Sequence, residues 1–122
     1  MARYSTLSPL SNHSNNMQKI ILWKIKPGKR QVWEDWCTYV VDKRHDEAAL
    51  SLTEEDLVRE HNHIFGEGDE SYVVFIHQAL PGKKKKPANL DRELNRTHFA
   101  KIKECLEEVT PGVLGYDIKA PV

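Results

Sequence analysis

No apolar run in this sequence approaches the roughly 20 residues that a membrane-spanning helix requires. Nor does it carry a net charge of either sign: Lys plus Arg and Asp plus Glu stand at 18 each, so no global field favours nucleic acid or an acidic membrane. Residues 1–16 are polar and lack the apolar centre of a secretory signal. There are two cysteines, Cys37 and Cys105, far apart and without metal-site spacing. Reduced thiols in a cytoplasm are the expectation, although both fall on inward helix faces and a disulfide between them stays open. The sequence has no glycine-rich phosphate loop, no serine-centred nucleophile elbow and no zinc-type cysteine cluster. Neither cysteine sits at a predicted helix start, where a thiolate would be favoured, which argues against covalent nucleophilic chemistry.

What the sequence does contain is two strand-like runs that are apolar on both faces, Gln18 to Lys26 and Ser71 to Ala79. Side chains alternate across a strand. In the first run Ile21, Trp23 and Ile25 oppose Ile20 and Leu22; in the second Tyr72, Val74 and Ile76 oppose Val73 and Phe75. Both faces of the sheet's centre therefore need cover. A chain of 122 residues forms one domain with a modest core, and it can supply one layer of helices.

Along the chain, residues 1–16 read as a flexible extension rich in Ser and Asn, with Met17 a candidate start, and residues 17–122 as the domain. Strand 1 ends at Lys26, Pro27-Gly28 punctuates it, and a helix opens near Lys29 or Arg30 with Val32, Trp33, Trp36, Cys37, Val40 and Val41 at three- and four-residue steps. Arg44 to Thr53 either continues that helix or forms a separate turn, and Ser51 or Thr53 before Glu54, Glu55 and Asp56 resembles a helix N-cap. Val58 to Phe65 reads as strand 2, Gly66 to Glu70 as a hairpin loop into strand 3. A second helix from Asn89 or Asp91 to about Val109 carries the stripe Leu94, His98, Phe99, Ile102, Cys105, Leu106 and Val109. Pro111-Gly112 stops it, and Val113 to Lys119 forms a short fourth strand.

The order β-α-β-β-α-β is the split pattern of an α+β, ferredoxin-like fold. Its four-stranded antiparallel sheet runs 4-1-3-2, with two helices on one face. The two-faced runs then occupy the centre, and the polar strands Arg59 to His63 and Asp117 to Lys119 the edges. The sheet face without helices keeps an apolar centre, and such patches mark interfaces; sheet-to-sheet pairing of two copies is the economical cover.

Three short motifs, KIKPGK (Lys24 to Lys29), the hairpin EH…F…Y (Glu60 to Tyr72) and THF before KECL (Thr97 to Leu106), make the chain resemble a family of small, functionally uncharacterised bacterial proteins in the dimeric α/β-barrel group. The resemblance covers Met17 to about Ile118 and implies the fold and the dimer. It implies no activity, because that structural group includes small monooxygenases, haem-degrading enzymes and ligand-sensing domains. The extension before Met17 and the lysine-rich loop depart from the pattern.

His98 is the leading candidate for chemistry. Its place on an apolar helical stripe would desolvate the imidazole, suiting it to general-base work or ligand contact; a packed histidine bonded to backbone is the plainer explanation. His61 and His63 share a strand face. With a five-residue loop at 66–70, residues 61, 63, 73, 75 and 77 fall together, so His77 would lie near the pair as a third metal ligand while Glu60 points away. Ordinary edge-strand polarity explains the same residues. Trp33 and Trp36, with Trp23, could line a pocket or fill the core. Arg59, Tyr72 and Tyr116 could orient a carboxylate or phenol there. Lys83 to Lys86 read as solvated, with no aromatics between them to suggest RNA binding.

The sequence therefore supports a small homodimeric α+β protein that binds or transforms a small apolar ligand between helices and sheet. Its pocket candidates are Trp33, Arg59, His61, His63, Tyr72, His77 and His98, and no cofactor is implied. A non-catalytic dimerisation module and a histidine metal site are the alternatives.

Overall fold

The β-branched and aromatic run QKIILWKI forms β1, Gln18–Ile25. In the computed structural model, which describes residues 18–121, it is followed by α1 (Arg30–Lys43), α2 (His45–Glu54), β2 (Leu57–Glu67), β3 (Glu70–Ala79), α3 (Glu93–Cys105) and β4 (Leu106–Glu108). The flexible extension expected at 1–16 lies outside the described residues.

The strands form one four-stranded sheet in the order β2-β3-β1-β4, and every pairing is antiparallel. The runs with two apolar faces are thus the inner strands. Register sorts the side chains. Ile21 faces Phe75 and Trp23 faces Val73, and these, with Ile25 and Leu106, pack under Trp33 and Trp36 of α1 and Leu94 and Cys105 of α3. The alternate residues Ile20, Leu22, Val74 and Ile76 occupy the opposite face, where Ile20 is 66 % and Leu22 40 % exposed. All three helices therefore serve one side of the sheet.

Four expectations need correction. Arg44 to Thr53 is neither a continuation of α1 nor a turn but a third helix, α2, so three helices stand where two were expected. The apparent N-cap at Ser51 to Asp56 is instead the C-terminal end of α2. Asp56 takes a left-handed φ of 56° that turns the chain into β2, a conformation Asp tolerates better than most residues.

The fourth strand is Leu106–Glu108, not Val113 to Lys119. The helical stripe that seemed to reach Val109 breaks because Leu106 fits the core equally well as a strand residue facing Ile25, and the Cys105 carbonyl accepts from Lys26 N at 2.8 Å. That fills the edge beside β1, and Leu114, Tyr116 and Ile118 are left 67–74 % exposed.

The hairpin holds the most consequential correction. Its turn is the two residues Gly68-Asp69, with Glu67 opposite Glu70 and Gly66 opposite Ser71, not the five residues 66–70. A one-residue change of register moves every side chain to the other face. Gly66 (φ 85°) and Gly68 (φ 54°) supply left-handed backbone, and Arg30 at the start of α1 fixes the turn by donating to the Gly66 carbonyl at 2.5 Å and to Ser71 Oγ at 3.0 Å.

Candidate functional site

With this register, β2 and β3 bring Glu60 opposite His77 on the helix side, one rung from Asn62 opposite Phe75. They form the floor of a cavity of about 600 Å³ between sheet and helices, walled by Trp33, Trp36 and Cys37 of α1, Ser51 and Leu52 of α2, and His98 and Ile102 of α3. Most of that lining is apolar, with polar groups gathered on a few side chains, the composition of a small-molecule site.

Glu60 Oε1 stands 3.2 Å from His77 Nε2. Burial pushes the Glu60 carboxyl up, but the hydrogen bond and charge of His77, with the charges of His98 and Lys85, outweigh it and hold its pKa below the ordinary value. Glu60 is therefore a carboxylate at neutral pH, and His77 Nε2 carries a proton toward it. His77 Nδ1 is buried with no partner in the protein, as is Trp33 Nε1.

His98 is bound by a donor that can only donate. Trp36 Nε1 reaches His98 Nδ1 at 3.0 Å, and an indole N–H has no acceptor capacity. His98 Nδ1 is accordingly bare, and in the neutral ring the proton sits on Nε2. Burial pulls the His98 pKa down, opposed by the charges of Glu60 and Glu55, so the neutral form prevails. Phe75 joins these groups into one cluster: its ring centroid lies 5.8 Å from Trp33, 6.1 Å from His77 and 6.3 Å from His98.

A second polar cluster closes the cavity beside α2. Buried Ser51 donates to Glu55 Oε2 at 3.1 Å, and Asn95 Nδ2 donates to Ser51 Oγ at 2.8 Å and to the Asn89 carbonyl at 2.9 Å. Lys85 comes from the loop between β3 and α3 to lie 2.9 Å from Glu55 Oε1, and Lys86 lies 3.2 Å from Asp56 Oδ2. Two of the four lysines expected to be solvated are thus ion-paired, and they tie the loop across the cavity's border, which Lys85 and Ala88 help to form. Cys37 also borders it, with Asn62 Nδ2 3.9 Å from its sulfur. Burial pushes the Cys37 thiol up, away from the thiolate a nucleophile needs. Both cysteines are free.

Of the residues singled out by sequence, Trp33, His77 and His98 meet at this cavity. Arg59, His63 and Tyr72 alternate to the other face of the sheet. There Tyr72 lies under Lys24, its ring centroid 5.0 Å from Nζ. His61 borders the cavity through its place between Glu60 and Asn62, but its ring meets His63, Nδ1 to Nε2 at 2.8 Å. His77 is therefore separated from the His61–His63 pair, and the expected three-histidine grouping does not form. Among the described residues no group of three or more His, Cys, Asp or Glu is placed to hold a metal. Tyr116 is exposed in the chain after β4.

Sequence reading missed Glu60 as a cavity residue, and with it Glu55 and Lys85. Glu60's only signal was its alternation with His61, which the hairpin register inverts. Glu55 and Lys85 lie 30 positions apart and announce nothing locally.

No helix among the described residues is long and apolar enough to cross a membrane. The profile of DUF6176, a family of unknown function, matches residues 18–118. No curated protein and no solved structure matches the chain.

Proposed function

For this chain, which belongs to the DUF6176 family, we propose binding of a small, mostly apolar molecule in the cavity between helices and sheet, its polar end set against Glu60, His77 and His98. One observation carries the reading. A cavity large enough for a ring system is bordered by Trp33 and His77, whose Nε1 and Nδ1 are buried and satisfied by no protein group. A buried donor or acceptor left unpaired costs about 1–3 kcal/mol, and a ligand carrying a complementary polar group offsets that cost on binding. His98, with its tautomer set by Trp36, adds a third nitrogen.

The test is native mass spectrometry of untagged, freshly purified protein. Extra mass on the folded chain, released by organic solvent, supports the reading and identifies the ligand. Bare protein that also fails to gain thermal stability with any member of a library of small aromatic and alicyclic compounds overturns it.

The second reading concerns the other face of the sheet. A ferredoxin-like domain pairing sheet to sheet with a second copy accounts for Ile20, Leu22 and Phe65, which are 40–66 % exposed on one continuous face with Val74 and Ile76. The period-two stripe Leu114, Tyr116 and Ile118 beyond β4 is apolar surface that the same assembly would cover. Sedimentation velocity over a range of concentrations tests the pairing: a single species of one chain's mass throughout removes it.

A further inference from the structure

We infer that His61 and His63 form a two-histidine chelate for copper(II) on the sheet face away from the helices, a site separate from the cavity and independent of its ligand. The two residues stand two apart on β2, opposite Ile76 and Val74 of β3, and strand alternation puts both imidazoles on the same side. Their nearest ring nitrogens, His61 Nδ1 and His63 Nε2, are already 2.8 Å apart, with the ring planes at 80°. His63 is exposed and His61 half-buried. Because β2 is an edge strand, the pair sits at the border of the apolar patch on β3 and β1, open to an ion from solution.

The spacing selects the metal. Two nitrogens bound at about 2.0 Å stand about 2.8 Å apart when they meet the ion at a right angle, and about 3.3 Å apart at the tetrahedral angle. The observed 2.8 Å is that of neighbouring positions in a square-planar or tetragonal site, which copper(II) prefers and zinc does not. Copper(II) also forms the strongest complexes of the divalent first-row ions with a given set of nitrogen ligands. Before an ion binds, one of the two nitrogens carries the hydrogen they share. Binding moves that proton to the other nitrogen of its ring, a change of tautomer that leaves both imidazoles neutral. A turn of each ring about χ2, whose minimum is broad, then directs both in-plane lone pairs to one point.

The surroundings fit a site of two protein ligands. Among the described residues no third His, Cys, Asp or Glu joins the pair, and His77 lies on the helix side with Glu60. The remaining positions on the ion therefore fall to water, or to a small ligand that exchanges with it. Val74 and Ile76, the facing residues of β3, offer no competing side-chain donor. Arg59, two residues before His61 on the same face, repels a dication, so the affinity rests on the two nitrogen bonds rather than on the field of the surface. Partial burial, then the charges of Arg59 and His63, holds the His61 pKa below its ordinary value, which keeps that ring in the neutral form a metal ligand requires.

The test is titration of the untagged full chain with copper(II) chloride in a buffer that does not bind copper, read by electron paramagnetic resonance. The expected spectrum is tetragonal, with one tightly bound copper per chain and hyperfine splitting from two imidazole nitrogens. His61→Ala and His63→Ala should each weaken binding about 100-fold, because the second ligand on one strand acts as an intramolecular contact. His45→Ala, which removes an exposed histidine at the start of α2, should leave affinity and spectrum unchanged. Copper binding that survives both strand substitutions, a wild-type spectrum with a single nitrogen, or tighter binding of zinc than of copper overturns the inference. Should either strand variant fail to fold, paramagnetic broadening of the wild-type NMR spectrum decides. Signals of Val74 and Ile76 should broaden first; broadening that begins at Trp36 and Ile102 in the cavity overturns the site.

Discussion

Glu60 and His77 sit opposite one another on β2 and β3, 3.2 Å apart, and face the helices. That pairing exists because the hairpin turns in two residues. Had it turned in five, His61 and His63 would have joined His77 on the helix side, and Glu60 would have faced away. A site and a surface patch were separated by one residue of register.

The turn should therefore control the site. A Cβ added at Gly66 would collide with the backbone carbonyl of Glu70, and φ of 85° there strains any L side chain. Gly66→Ala is expected to cost about 1–3 kcal/mol from the backbone conformation alone, more with the collision. Urea denaturation measures the loss. Chemical-shift mapping of His77 checks that the hairpin, rather than the helices, is disturbed.

Trp36→Phe keeps most of the ring while removing the donor to His98 Nδ1. The expected loss is about 1–2 kcal/mol for an unpaired buried acceptor. Histidine NMR should then show the Nδ1–H tautomer of His98 populated, where the wild type shows only Nε2–H. A variant with the wild-type tautomer would mean that something other than Trp36 sets it.

Acid should destabilise the fold in two stages. The His98 pKa is lowered by burial from 6.5, so between its folded value and 6.5 the unfolded chain binds more protons. Stability is full above 6.5 and declines as pH falls through that window. The Glu60 pKa is lowered from 4.5, the bonds and charges of its partners outweighing burial. Its contribution is present above 4.5 and is lost as pH falls toward the folded value. Thermal melts from pH 8 to pH 3 should show both declines. His98→Gln should remove the upper one and Glu60→Gln the lower.

The loop carrying Lys85 is fastened to a carboxylate that is itself buried and bonded to Ser51. Lys85→Met leaves Glu55 without its cation, and about 1–3 kcal/mol should be lost. Limited proteolysis should then cut within 81–92 faster than in the wild type, while Lys83→Met and Lys84→Met, whose lysines are exposed and enter no ion pair among the described residues, leave the rate unchanged. Equal cleavage in all three would show that the ion pair does not hold the loop.

On the open face, Leu22→Lys or Ile20→Lys places a charge amid apolar neighbours. If two copies pair there, either substitution should yield a monomer in sedimentation velocity with the far-ultraviolet circular dichroism unchanged. A persistent dimer would move the interface elsewhere.

Much of this architecture was legible in the chain. Two-sided apolar alternation in QKIILWKI and SYVVFI marked β1 and β3 as inner strands, because a sheet's polar residues gather on its solvated edges. Helical spacing placed Trp33, Trp36 and Leu94 toward the sheet, and His98 was singled out by the same spacing. These are local regularities, set by the 3.6- and 2-residue periods of the backbone. Three matters were settled only in the folded molecule. Leu106 satisfied both a helical and a strand pattern, and pairing with Ile25 chose the strand. Lys85 found Glu55 across 30 residues, a contact no local pattern encodes. Whether Glu60 lies on the same face as His77 depended on the turn, where Gly66 and Gly68 supply left-handed backbone and Arg30 from α1 donates to the Gly66 carbonyl. Periodicity determines which residues share a face; which face of β2 meets the cavity goes with the register of a single turn.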